Sequence, residues 1–348
     1  MKKVVAGMDL HSNNVVIGIM DLDGKRVASR KVPCELKEVV KFLAPFKKRL
    51  EKVAVESTYN WYWLVDGLQA AGYRVYLANT SAIKQYEGLK HSNDDSDAMH
   101  LAHLLRLGIV PTGYICPREE RALRDLARKR LQLNRSRTAH ILAVENIVAR
   151  QTGGRISGSA VKRLTVGELK KVGQLEDVTL AMSANVAVIQ TLTAQIEKLE
   201  ARLLKQVKPR AEFKLLISVP GIGEVLATII MLETGTIERF AQVGNFASYA
   251  RCVDSKRLSN GKKKGEGNVK NGNKYLAWAF IEAANFARRF CPEAKRFYER
   301  KKAHTNTIVA TKALAHKLAR ACYHMLQGPS ALRREALLLI EDPLWRSA

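Results

Sequence analysis

The order of the apolar runs in the first 110 residues is the feature that most constrains the fold. Three runs come first, at Val4–Met8, Asn14–Met20 and Arg26–Val32. The Asp23-Gly24 pair between the second and third runs is a tight-turn signal. We therefore predict that these three segments form an antiparallel meander.

Helix and strand patterns alternate after this meander. Helical patterns occupy Leu36–Leu50 and Tyr62–Ala71, strand patterns occupy Val53–Glu56 and Tyr73–Ala78, and another helix begins near Asp94. The resulting order, βββαβαβα, is typical of an RNase H-like domain. A meander placed before the βα units is hard to reconcile with a doubly wound nucleotide-binding fold, and no Gly-rich phosphate loop follows the first strand.

The rest of the chain has mainly helical patterns. A long helix follows Arg118 and is predicted to break at Gly153-Gly154. Thr191–Val207 belongs to a later helix, whose charged residues flank one apolar side as in a coiled coil or a helical spacer. The part from residue 208 onward is also helical, apart from the polar segment Ser255–Asn273, which is rich in Lys, Gly and Asn. The predicted fold class is therefore α/β followed by α.

Positive charge is concentrated in the second part of the chain. The first 110 residues hold 16 Lys and Arg against 12 Asp and Glu, whereas the remaining 238 hold 42 against 21. Solubility does not require so large an excess of one sign, which favours a polyanion, most commonly nucleic acid, as the partner. A membrane partner is not favoured, because the basic residues are not confined to one amphipathic helix. No signal peptide or long apolar run is apparent, so we expect a cytoplasmic protein.

Four carboxylates are candidates for a metal site. Asp9 follows the first strand and Glu56 ends the fourth, and these strands are neighbours in an RNase H-like sheet. Asp94 and Asp97 are three residues apart at a helix start and share one face, although the spacing alone leaves Asp95 open in place of Asp94. Each acid could instead serve a turn, a strand end or a helix cap. Together they favour a site for Mg²⁺, which prefers hard oxygen ligands and prevents the carboxylates from repelling one another.

Two segments of the C-terminal part have patterns that suit phosphate binding. Gly221-Ile222-Gly223 precedes an apolar helix and either offers N–H groups to a phosphate, as in helix-hairpin-helix units, or is an ordinary turn. The segment Ser255–Gly267 can approach a phosphate backbone closely. A serine within it is well placed as a nucleophile, because nearby cations stabilise an alkoxide and the phosphorane. The other interpretation is a basic loop that only grips DNA.

Basic residues and glycines of these segments, with two arginines of the first long helix, are the predicted nucleic-acid-binding residues. The two arginines fit a solvated helix face equally well. The full set is Gly221, Gly223, Lys256, Arg257, Lys262, Lys263, Lys264, Lys270, Lys274, Arg128 and Arg135.

These motifs, taken in order, resemble those of a known family. The motifs are Met8-Asp9, Val55–Thr58, Asn93–Ala98, Val219–Gly223 and Leu258–Lys262. In this order they resemble the DEDD transposases of the IS-one-ten type. The stretch from Ser259 to Gly267, followed by Gly272–Trp278, resembles their IS-eleven-eleven branch, and the resemblance extends over nearly the whole chain.

The resemblance implies a division into three domains. Residues 1–115 would form a RuvC-like, RNase H-like catalytic domain, and residues 116–207 a helical coiled-coil spacer. Residues 208–348 would form a mostly α-helical transposase domain with the helix-hairpin-helix-like turn and the serine loop. The implied setting is a prokaryotic, nucleoid-associated protein.

The resemblance also implies the chemistry. Asp9, Glu56, Asp94 and Asp97 would hold Mg²⁺, for which Mn²⁺ can substitute, and Ser259 would attack the phosphodiester to give a covalent phosphoserine. The family commonly has glycine directly after this serine, whereas Asn260 intervenes here, so Ser255 stays open as the nucleophile. The implied partners are donor and target DNA and a bridge-type guide RNA encoded by the element. Dimers would assemble to a tetramer, with acids and serine supplied by different protomers.

Two other functions compete with this one. A junction-resolving endonuclease of the RuvC-like class would use the same four acids with a metal-activated water, but it needs no second helical domain with a serine loop. A nucleic-acid scaffold protein would use the same charge with decayed acids. All four acids are present, which argues against the scaffold.

Overall fold

The computed structural model describes residues 2–83, 94–172, 175–253, 256–260, 262–266 and 271–328. The chain divides into two compact units, residues 1–118 and 119–348. Among the described residues, no helix is both long enough and apolar enough to cross a bilayer.

The N-terminal unit is a mixed sheet with helices on both faces. Its strands are β1 (Val4–Leu10), β2 (Asn14–Asp21), β3 (Arg26–Pro33), β4 (Leu50–Glu56), β5 (Val75–Ala78) and β6 (Thr112–Gly113). Its helices are α1 (Leu36–Leu43), α2 (Tyr62–Ala70) and α3 (Asp94–Arg106). The sheet order is β3-β2-β1-β4-β5-β6, with the antiparallel meander first and parallel pairing of β1 with β4 and of β4 with β5. The predicted meander and the predicted pairing of the first and fourth strands are confirmed.

Side-chain alternation along the strands separates two cores. In β1, Val4, Ala6, Met8 and Leu10 pack with α1 and α2 on one face. Val5 packs on the opposite face, against α3. Because successive strand residues point to opposite faces, Asp9 shares the α3 face with Val5. The same alternation in β4 places Glu56 on that face.

Two glycines allow α3 to approach the sheet closely. Gly7 of β1 lies opposite Gly18 of β2. A Cβ on Gly7 would stand 2.1 Å from the Ala98 carbonyl oxygen, and one on Gly18 would stand 2.6 Å from the Met99 sulfur. The paired glycines therefore form a trough for the first turns of α3, and this trough holds the start of the helix over the end of β1.

The predicted helix Leu36–Leu50 is too long. Helix α1 ends at Leu43, a 3-10 turn covers Ala44–Phe46, and Leu50 is already the first residue of β4. The physical reason is Pro45, which has no N–H to continue the helical ladder.

The C-terminal unit is mostly helical. Its helices are α4 (Arg118–Thr152), α5 (Gly158–Val161), α6 (Val166–Val172), α7 (Glu176–Val207), α8 (Ala211–Ile217), α9 (Glu224–Thr234), α10 (Val243–Tyr249), α11 (Lys274–Phe290), α12 (Pro292–Ala303) and α13 (Thr307–Gln327). A two-stranded hairpin of β7 (Lys256–Ser259) and β8 (Lys262–Glu266) interrupts them. The predicted end of the first long helix at Gly153-Gly154 is confirmed.

The two longest helices of this unit, α4 and α7, lie side by side and antiparallel. Arg130 of α4 forms an ion pair with Glu200 of α7 at 2.5 Å, and ten residues further along α4 His140 lies 2.9 Å from Asn185. Between and beyond these polar contacts, apolar residues of both helices share a core. The coiled-coil supercoil expected of a spacer formed by this pair stays a prediction.

Helix α9 lies at the centre of the remaining helices, and every residue from Leu226 to Thr234 is buried. The turn before it contains Pro220 and Gly221, and the Ile222 amide donates to the Val219 carbonyl at 3.0 Å. Gly221 has a φ of +85°, as the third residue of a type II turn requires, and a Cβ there would stand 2.3 Å from a carbonyl oxygen of α11. Gly221 is thus needed for packing.

Candidate active site

The acidic centre begins with two carboxylates on neighbouring strands. Asp9 is near the end of β1 and is only 5% exposed, and Glu56 is the last residue of β4. The two carboxyl groups are close enough for Glu56 to raise the pKa of Asp9, which burial already raises. Parallel pairing of β1 and β4 therefore brings together two acids that are 47 residues apart, as the sequence predicted.

Helix α3 adds two further carboxylates to the same place. Asp94 and Asp97 lie in its first turn, and the negative charges of both act on Asp9. Lys31 of β3 lies 3.4 Å from an Asp94 oxygen and supplies a nearby positive charge. The trough of Gly7 and Gly18 determines this approach, because it sets the height of α3 above the strand.

Asp95 points elsewhere. Arg26 of β3 donates two hydrogen bonds to it, at 2.6 and 3.1 Å, and the Ser29 hydroxyl donates a third. Its carboxylate is thus held by β3, while its neighbour Asp94 contributes to the acidic centre. This geometry favours Asp94 over Asp95 as a member of the acidic centre, and the role of Asp94 as a metal ligand stays a prediction.

His11 is a member of the centre that the sequence analysis did not select. Its Nε2 atom lies 3.2 Å from an Asp9 oxygen and 3.5 Å from an Asp94 oxygen. The Nε2 atom is buried and makes no well-aligned hydrogen bond among the described residues. One ligand atom each from Asp9, His11 and Asp94 lie within 4.8 Å of one another, which is close enough to share one metal ion.

The acidic centre is electrostatically strained. Burial raises the pKa of Asp9 from 3.8 to about 8, helped by the hydrogen bond and charge of Glu56 and by the charges of Asp97 and Asp94. Carboxylates brought this close either retain a proton or need a cation between them. The donor set therefore fits a divalent metal ion.

The candidate serine lies in the hairpin of the C-terminal unit. Ser259 is the last residue of β7 and pairs with Lys262, the first residue of β8, so the chain reverses in a tight turn between these two residues. Asn260 has a φ of +50°, as such a turn requires at its first position. The Lys- and Gly-rich pattern predicted a loop here, whereas part of this segment is a β-hairpin. The Asn-Gly pair is the signal that would have revealed it.

The chain leaves and re-enters the helical core at one place on either side of this hairpin. The Asn273 amide donates to the Tyr249 carbonyl at 2.6 Å, and the Arg251 guanidinium donates to the Gly272 carbonyl at 3.0 Å. Asn273 then caps α11, accepting from the Tyr275 and Leu276 amides. The segment that carries Ser259 is therefore closed at its base.

Comparison with known proteins identifies the family. A model of DEDD transposases of the IS110 (IS-one-ten) type matches residues 6–150, and the Transposase IS116/IS110/IS902 family model matches residues 213–299. A probable family 20 transposase of Pseudomonas aeruginosa is 26% identical over 294 residues, which cover 81% of this chain and 85% of that protein. The chain belongs to the IS110-type transposases. The predicted family and the predicted enzyme class, a DNA transposase or recombinase, are confirmed.

The remaining predicted nucleic-acid-binding residues of the transposase have varied surroundings. Lys262, Lys264 and Lys274 are exposed, and Gly223 caps α9 with open space beside it. Lys256, Arg257 and Lys263 are known only as backbone positions in the hairpin, and Ser255 and Lys270 lie outside the described residues. The exposure of these residues does not test whether they contact nucleic acid, so their roles stay predictions.

Arg128 occupies a more specific place than a solvated helix face. It donates to both oxygens of Glu233 at 2.6 and 2.8 Å, and Asn273 donates to the same carboxylate at 2.7 Å. The Glu233 side chain is 2% exposed. Sequence patterns could not reveal this network, because its members come from α4, α9 and the cap of α11 and meet only in the folded protein.

Proposed function

We propose that this IS110-type transposase cleaves and exchanges DNA strands in a Mg²⁺-dependent reaction that passes through a phosphoserine at Ser259. The observation that carries the proposal is the convergence of Asp9, Glu56, Asp94 and Asp97 in a protein of a DNA-transposing family. We further propose the division into a RuvC-like domain (1–115), a coiled-coil spacer (116–207) and a transposase domain (208–348).

The four acids would hold the metal, with Asp9 and Glu56 on the sheet and Asp94 and Asp97 on the helix. A bound divalent cation would offset their charge and stabilise negative charge on a phosphate oxygen. Because burial and the neighbouring acids raise the pKa of Asp9 to about 8, its carboxyl would hold a proton at neutral pH when no cation is bound. Metal binding should therefore release this proton.

His11 would add a nitrogen ligand to this set. Imidazole is a less suitable ligand for Mg²⁺ than for transition metals, so His11 should raise the affinity for Mn²⁺ relative to Mg²⁺. Titration calorimetry of both ions on the wild type and on His11→Gln tests this. We expect the variant to lose more affinity for Mn²⁺ than for Mg²⁺, and equal losses would remove His11 from the ligand set.

Ser259 would supply the nucleophile. A bond forms between its Oγ and the phosphorus, while one bond from that phosphorus to a deoxyribose oxygen breaks. The serine gives up its proton and the departing oxygen takes one up, which leaves a free hydroxyl end. Attack by a hydroxyl of another strand reverses these steps and joins that strand. The lysines of β8 would compensate the charge of the phosphorane.

Sequence choice would come from a guide RNA that is encoded by the mobile element and pairs with donor and target DNA. The excess of basic residues in the C-terminal part supports two polyanionic partners. Dimers would assemble to a tetramer in which the acidic centre of one protomer works with the serine of another.

A denaturing gel tests the nucleophile. Wild type, Ser259→Ala and Ser255→Ala are incubated with Mg²⁺, the RNA that flanks the element, and labelled donor and target DNA. We expect a covalent protein–DNA adduct in the wild type and in Ser255→Ala, and none in Ser259→Ala. An adduct that persists in Ser259→Ala would contradict the assignment. Cleavage without an adduct in any variant would favour the nuclease that uses a metal-activated water.

A further inference from the structure

A groove lies beside the base of the serine hairpin in the C-terminal unit. Its volume is about 390 Å³, and it is lined by one face of α4 and by Tyr275 of α11. The α4 residues recur at helical spacing and so form a continuous strip. The strip includes Asp125, Arg128, Lys129 and Arg135.

The groove carries a net positive charge, and two of its basic side chains are not neutralised by an ion pair with a described carboxylate. Lys129 and Arg135 are exposed, and neither forms an ion pair with any carboxylate in the part of the chain that the structure describes. Asp125 is the acid of the lining, and the Arg128 guanidinium lies 3.8 Å from it. Exposed cations on one helix face are suited to phosphates that are spaced along a backbone.

An aromatic ring completes the groove. Tyr275 lines it, with the Arg128 guanidinium 4.6 Å and the Lys274 ammonium 5.3 Å from the ring centroid. Arg128 is itself held by the buried Glu233, so the ring has a rigid support. Aromatic rings beside cationic strips are the elements with which proteins bind single strands, through base stacking and phosphate contacts.

We propose that this groove binds a single-stranded polynucleotide, with phosphates at Lys129 and Arg135 and a base against Tyr275. A concave site of about 390 Å³ is large enough for an unpaired nucleotide. The inference rests on the proposed function and names where one of its strands lies. Asn273 joins Glu233 and directly precedes α11, so the groove adjoins the closed base of the serine segment. We therefore assign the groove to the DNA strand next to the scissile phosphate.

Binding without chemistry tests the groove. Fluorescence anisotropy measures the binding of labelled oligo-dT and oligo-U to the full chain in EDTA, which removes metal ions. Three proteins are compared: the wild type, the groove variant Lys129→Ala/Arg135→Ala and the control variant Lys198→Ala/Arg202→Ala. The control residues are exposed on α7, four apart, and remove the same charge. We expect the groove variant to bind oligo-dT about tenfold more weakly, with the slope of log K against log salt falling by about 1.4. The control should bind like the wild type.

Tyr275 provides a second measurement. Tyr275→Leu should weaken oligo-dT binding by roughly fivefold to a hundredfold, and Tyr275→Phe should retain it, with melting temperatures checking both folds. A loss confined to oligo-U would overturn the assignment to DNA and identify RNA as the occupant of the groove. Equal affinity and slope for the groove and control variants, on both oligonucleotides, would overturn the proposal. The adduct assay tests Ser259 independently, because here no metal is present.

Discussion

The acidic centre and the serine hairpin place their reactive groups by opposite means. Asp9 and Glu56 are carried by the central strands of a buried sheet, and a glycine trough determines how closely α3 approaches them. Ser259 lies at the tip of a two-stranded hairpin that is polar and rich in lysine, and whose base is closed by hydrogen bonds. Apolar packing positions the first site, whereas turn chemistry and a buried polar network position the second.

This difference indicates which substitutions should disturb each site. The acids repel one another and depend on the surrounding core to keep them together, so core changes should disturb metal binding. The hairpin has little core of its own, so changes at its turn and at its base should disturb the serine while the rest of the protein stays folded. Four substitutions test this contrast, from the largest expected effect to the smallest.

Asp9→Asn should have the largest effect. Strand cleavage should fall by at least about a thousandfold, because a central metal ligand is lost, while nucleic-acid binding stays intact. A gel assay of cleavage and a filter assay of binding measure both quantities. Undiminished cleavage would contradict the assignment of Asp9.

In the absence of metal, the stability of Asp9→Asn relative to the wild type should depend on pH. The pKa of Asp9 is about 8 in the folded protein against an ordinary value of 3.8. Between these values the folded state holds a proton that the unfolded state has lost, so wild-type stability falls as pH rises from about 4 to 8. Asp9→Asn lacks this group, and its stability relative to the wild type should therefore increase across the window. A melting-temperature difference that is independent of pH would argue against the raised pKa.

Gly7→Ala should disturb the acidic centre by changing how α3 packs against β1, without removing any of the acids. The new Cβ would stand 2.1 Å from a backbone oxygen of α3, so the helix must shift. We expect a loss of about 3 kcal/mol in the free energy of unfolding, measured by denaturant titration. Gly113→Ala is the matched control, because a Cβ there would meet its nearest neighbour at 3.5 Å. Similar losses in the free energy of unfolding for both variants would contradict the claim that Gly7 is needed for the close approach of α3.

Glu233→Gln should loosen the base of the serine segment. Removing one partner of a buried ion pair costs about 3 kcal/mol, since Arg128 and Asn273 keep donors directed at the lost charge. Glu224→Gln, on the same helix, breaks an exposed pair with Lys208 and should cost at most about 1 kcal/mol. Calorimetric unfolding of the two variants measures the difference, and equal stabilities would mean that the network is not important for the fold.

Asn260→Val should have the smallest effect and should affect only the hairpin. A β-branched residue at a φ of +50° costs about 1–2 kcal/mol, so the turn should distort and adduct formation should slow by roughly tenfold. Asn260→Gly, which tolerates this conformation, should retain the wild-type rate. If both variants react at the wild-type rate, the turn does not position Ser259.

Sequence patterns predicted the scaffold well where local signals were strong. Strand alternation and the Asp23-Gly24 turn predicted the meander, and the strand order then indicated that Asp9 and Glu56 would be neighbours. The end of α1 was misplaced because apolar spacing continues past Pro45, whose missing N–H ends the helix. The hairpin was missed because lysines and glycines concealed a strand pattern around the Asn-Gly turn.

The sequence alone was sufficient to predict the strand order of the N-terminal unit, the four candidate acids, the basic excess and the family. The direction of the Asp94 and Asp95 side chains is visible only in the folded protein, since adjacent residues at a helix start point in different directions and Arg26 holds Asp95. The tertiary structure also revealed His11 beside the acids and Glu233 beside Arg128 and Asn273. Such contacts join residues far apart in the chain, and their distances depend on how elements pack, which periodicity along one element does not encode.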